Sequence, residues 1–117
     1  MQRIHLVTTA LRLAVAVCLF AVSSVVMAQV TPIKRYNTAS ESMHLLQRCG
    51  ELNDERRAWL QRLRGEARRT LDWTAGQWTA HDVSLKAEFD QRYPAVSKEK
   101  CSELASAIDN ERKTLAR

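Results

Sequence analysis

The apolar positions Leu45, Leu46, Cys49, Leu52, Leu60, Leu63, Ala67 and Leu71, together with Thr74, fall within one arc when each residue advances about 100°. That phase runs through Gly50 and predicts one long helix over about 39–75, at a cost of about 1 kcal/mol for an interior glycine. Its start is marked by Thr38-Ala-Ser-Glu41, a hydroxyl and a carboxylate at capping-box spacing, and its end by Gly76, a residue suited to a left-handed cap. A second capping pattern, Thr79-Ala-His-Asp82, leads into Leu85, Phe89 and Tyr93 at spacing four and predicts a helix over about 80–93 that Pro94 ends. Ser97 and Glu99 then open a stripe of Cys101, Leu104, Ala105, Ile108 and Leu115, a third helix over about 98–116. No stretch alternates apolar and polar residues long enough to propose a strand. The expected class is therefore all-α: a small helical hairpin or bundle, the long helix covered by two shorter ones. A compact four-helix bundle, with a break between Cys49 and Asp54, is the competing arrangement.

Upstream, the pattern changes character. The first 28 residues contain no acid, place Arg3 and Arg12 before an apolar run from Leu13, and reach small residues at Ser23, Ser24 and Ala28. This is the tripartite form of a cleavable secretory signal peptide, and the run is too short to cross a bilayer as a helix of about 20 residues. Cleavage after Ala28 makes Gln29 the mature start, and no stable membrane insertion is expected afterwards. Residues 29–37, with Thr31, Pro32 and Ile33 and no helical period, read as a flexible arm, which leaves 38–117 as a single helical domain. The expected location is the periplasm.

Export alters the meaning of charge and cysteine. Residues 1 to 28 hold two of the 18 basic residues and none of the 13 acidic ones, so the mature net charge is +3 rather than +5. Cys18 leaves with the signal. The two remaining cysteines, Cys49 and Cys101, are expected to form a disulfide, which a domain this small needs as a supplement to a modest core.

Candidate chemistry is sparse. His44 and His81 belong to no metal-ligand pattern, no serine sits in a nucleophile elbow, and no glycine-rich loop could cradle phosphate. No catalytic, cofactor-binding or metal site is expected, and export removes the chain from nucleic acid. Arg62 and Glu66, like Arg68 and Asp72, stand at ion-pair spacing on the long helix. Arg57, Arg64 and Arg68 form a basic row, while Leu52, Trp59, Glu66 and Trp73 share another. Tryptophan and arginine together are what interface hot spots use, so Leu52, Trp59, Arg64, Arg68 and Trp73 form the candidate interface of a non-enzymatic periplasmic interaction domain. It would bind a protein partner or a second copy of itself. The rival readings are a periplasmic stress chaperone exposing apolar surface and, after it, a small enzyme or ligand carrier.

Overall fold

The computed structural model describes residues 31–115, and every element named below belongs to one compact unit, Pro32–Arg117. The expected export signal and its expected cleavage site lie outside the described residues. Four helices follow in order: α1 (Pro32–Arg48), α2 (Asp54–Thr70), α3 (Ala75–Arg92) and α4 (Lys98–Leu115). The described residues are all-helical as expected, with no strand among them. The predicted long helix, however, is two helices, and the compact bundle is the arrangement that forms.

Gly50 is the reason for the break. It adopts φ 75°, a left-handed conformation in which a side chain would be strained. Glu51 N–H donates to Leu46 C=O (2.9 Å) and Gly50 N–H to Gln47 C=O (3.3 Å), the paired bonds of a Schellman terminus. Asn53 then starts α2 by accepting from Arg56 N–H at 2.8 Å, and Asp54 and Glu55 place negative charge in the first turn, where the helix dipole favours it. The apolar phase continued through this turn because Cys49 and Leu52, although outside any helix, still pack against the core.

Two further boundaries move. The expected arm is helical from Pro32, a residue suited to the first helical position because its missing N–H has no intrahelical partner there. Thr38 therefore lies inside α1, not at its start. The third helix begins at Ala75 rather than about 80: Thr74 Oγ accepts from Gln77 N–H, and Gln77 Oε1 accepts from Thr74 N–H at 2.8 Å. Gly76 is thus in a first turn rather than a C-terminal cap, and the Thr79 hydroxyl donates to Ala75 C=O within the helix. Ser97 does cap α4, accepting from Lys100 N–H at 3.2 Å.

Helix α1 is the spine, packing against each of the other three helices, and α2 packs against α4 as well. Two apolar clusters result. One joins Tyr36, Ala67, Trp78, Leu85 and Phe89; the other joins Ala39, Leu46, Leu60, Ala105 and Ile108. Cys49 and Cys101 are bonded, with their Cα atoms 6.5 Å apart, tying the end of α1 to the first turn of α4. A second tie is electrostatic: Arg56 of α2 grips Asp109 of α4 through Nε (3.1 Å) and Nη2 (2.9 Å), which holds that carboxyl below its usual range.

Candidate functional site

The five residues of the expected interface separate into two groups. Leu52, in the turn before α2, and Trp59 are half-buried against the second cluster, and the Arg62 guanidinium lies 5.9 Å from the centroid of the Trp59 ring. Arg64, Arg68 and Trp73 instead gather around the first cluster. The row that appeared continuous on a single helical wheel is cut at both ends, because Leu52 precedes α2 and Trp73 follows it.

The second group is an aromatic stack edged by arginines. The Tyr36 and Trp78 rings sit 4.5 Å apart, Trp78 and Trp73 also 4.5 Å, and His81 meets Trp73 edge-on at 5.3 Å. Arg64 lies over Tyr36 at 4.7 Å and Arg68 over Trp78 at 5.2 Å, so the cations cover the negative faces of the rings. Trp73 is held by the short connection between α2 and α3, where Leu71 N–H caps α2 by donating to Arg68 C=O.

Arg64 is committed to the fold. Its Nη2 donates to the Tyr36 hydroxyl at 2.7 Å, and that hydroxyl donates to Asp82 Oδ1 at 2.5 Å. The same Nη2 is 3.5 Å from the carboxylate. Tyr36 is fully buried. Burial, with the neighbouring carboxylate second, raises its phenol above the ordinary range, so it stays neutral and keeps donating. A parallel contact joins Tyr93 to Glu41 Oε1 at 2.5 Å, and there the carboxylate is the main cause of a raised phenol.

The outer face of α2 has a different character. Arg57, Arg68 and Arg69 are exposed, and none of their side chains takes part in an ion pair or hydrogen bond among the described residues. Arg62 does pair with Glu66, at 3.2 Å as its spacing implied, but Arg68 and Asp72 do not pair because α2 ends at Thr70. The basic row thus keeps Arg57 and Arg68 and loses Arg64 to the interior.

Residues that the sequence pattern left out matter here. Tyr36 was assigned to an arm and Asp82 to a cap, yet together they anchor α1, α2 and α3. The signal was available in the spacing of Tyr36, Ala39, Met43 and Leu46, which continues one helical stripe back beyond Thr38. His81 sits within α3 and meets Asn37 Oδ1 at 2.7 Å.

Among the described residues no group of three or more His, Cys, Asp or Glu side chains could hold a metal ion, and no helix is long and apolar enough to cross a membrane. No protein-family model, curated protein or solved structure matches this chain.

Proposed function

We propose that this chain is an exported, non-enzymatic interaction domain of the periplasm that docks an acidic protein surface on the outer face of α2. Arg57, Arg68 and Arg69 supply the charge, and Trp73 supplies an aromatic anchor beside them. The observation that carries this reading is the set of exposed α2 arginines whose side chains have no counter-charge among the described residues, beside half-buried Trp73, which stacks on buried Trp78. Such a surface is electrostatically incomplete alone, and an acidic partner would complete it while steering encounter. The periplasmic location rests on the signal-like first 28 residues and the requirement of a disulfide for an oxidising compartment.

The packing favours a binder over a chaperone. Among the described residues the large apolar side chains left exposed are Val83 and Leu115, on different helices, which supports a binder more than a holder of unfolded clients. Charge reversal at Arg57, Arg68 and Arg69 tests the reading. Immobilised wild-type protein in its oxidised form should retain a stoichiometric envelope partner at low salt and release it at high salt, while the triple Glu variant retains none. Equal capture by the two proteins, or aggregation suppression of unrelated clients by both, defeats it.

A further inference from the structure

A groove of about 660 Å³ runs between α1 and α3, with Arg64 of α2 at its side. That volume lies within the range of small-molecule sites. The two helices run parallel, as the pairings Tyr36 with Asp82, His44 with Asp90 and Arg48 with Tyr93 establish. Ser40 stands four residues after Tyr36 and Lys86 four after Asp82, so this register sets Ser40 and Lys86 opposite one another at the middle of the groove.

Of the two acids on either side, Asp82 is already answered by the protein. Asp82 accepts from Tyr36 and faces Arg64, and Asp90 Oδ1 lies 3.4 Å from His44 Nε2, inside ion-pair distance though not in hydrogen-bonding geometry. The middle is not answered. Lys86 is exposed and has no ion pair or hydrogen bond among the described residues, and Ser40 Oγ is buried without a hydrogen-bond partner in the protein. Two more buried nitrogens in the same groove, His44 Nε2 and Arg64 Nε, also lack one. Orphaned buried polar atoms otherwise occur among the described residues only at Trp59 and Arg112, so three of the five belong to this groove. All three can act as donors. Leu85 and Phe89, buried, and Met43, half-buried, provide an apolar lining beside them.

We propose that this groove is a binding site for a small organic carboxylate with an apolar body. The carboxylate would take the ammonium of Lys86 and the unpartnered donors across from it, and the apolar body would lie along Met43, Leu85 and Phe89. With Arg48, Arg64 and Lys86 against Asp82 and Asp90, the groove carries one more positive than negative charge even with His44 neutral, which selects an anion over a cation. None of Arg57, Arg68 and Arg69 lines the groove, so its ligand is distinct from the partner they would bind.

The test uses decanoate below its micellar concentration, with decyltrimethylammonium as the cation of equal chain length. The full-length chain is expressed with its export sequence, and the exported, oxidised protein is titrated by amide chemical shift. Decanoate should saturate and move residues 40–48 and 82–90, and the ammonium probe should bind more weakly. Lys86→Glu, at an exposed position, should weaken decanoate binding roughly fivefold or more, and Gln47→Trp should weaken it by filling space with the charge unchanged. Arg57→Glu should leave it as it is. Binding that does not saturate, that is equal for both headgroups, that maps to Arg57, Arg68 and Arg69 instead, or that survives both groove variants would overturn the proposal.

Discussion

Replacing Tyr36 by Phe isolates one atom that joins three helices. The hydroxyl accepts from Arg64 on α2 and donates to Asp82 on α3, from a ring of α1 that is fully buried. Both partners are charged, and hydrogen bonds to charged groups contribute about 1.5–3 kcal/mol each when one member is deleted. The loss should not double, because Arg64 remains within 3.5 Å of Asp82 and keeps part of its pairing without the hydroxyl. The expected destabilisation is therefore about 2 kcal/mol, which for a domain of this size lowers Tm by roughly 8–16 °C. Tyr93→Phe is the internal comparison: it deletes one bond, to Glu41, at a half-exposed site, and should cost about 0.5–1 kcal/mol. Thermal and urea unfolding followed by circular dichroism, with the disulfide intact in all samples, measure both. If Tyr36→Phe loses no more than Tyr93→Phe, the Tyr36 hydroxyl does not join the three helices.

Four other outcomes follow from the same coordinates. Gly65 lies inside α2 with open space where a Cβ would stand, so Gly65→Ala should raise stability by about 1 kcal/mol in urea unfolding; a loss would mean that the helix packs there against something else. Reducing Cys49–Cys101, whose partners are 52 residues apart, should remove up to about 4 kcal/mol, read as a drop in the urea midpoint when dithiothreitol is added. Tyr36 and Tyr93 are the two tyrosines of the chain, and both phenols are raised, so neither should ionise near pH 10 in the folded protein. Because the unfolded chain releases those protons first, their contribution is complete below about pH 10 and is lost as pH rises through the folded values; ultraviolet phenolate absorbance in native and denatured samples should separate, and coincident curves would contradict it. Trp59→Ala with Trp73→Ala should lower Tm and not merely association, since each ring packs on a different core cluster; unchanged stability would return both to the surface.

Period and capping chemistry carried different parts of the fold. The stripes of α3 and α4, the cap at Ser97 and the stop before Pro94 were legible because each agrees with a local signal. The cystine was legible from the cysteine count together with the export-like pattern of the first 28 residues. Gly50 and Asn53 were equally visible, but a helical wheel has no term for a turn whose residues stay in phase, and Leu52 kept the arc intact while the backbone reversed direction. At Thr74 and Thr79 two capping patterns stood five residues apart, and the choice between them is made by tertiary contact: Asp82 is bonded to Tyr36 and therefore not free to cap. The row that joined the candidate interface residues depended on the same continuous helix. Trp59 and Trp73 share a row only on a helix that does not exist, whereas the stack of Tyr36, Trp73, Trp78 and His81 is assembled from three segments that no periodicity connects.

The cystine has a topological meaning beyond its effect on unfolding. It joins the turn after α1 to the first turn of α4, so all of α2 and α3 lies inside one covalent ring. A protease that cuts the connection at 71–74, or the one after Tyr93, opens the ring but releases no piece: the molecule gains one water and stays joined through sulfur. Such a nick is invisible on a non-reducing gel and becomes two fragments once a reductant is present. For this chain, integrity and continuity of the backbone are separate properties, and a purified sample must be judged on both.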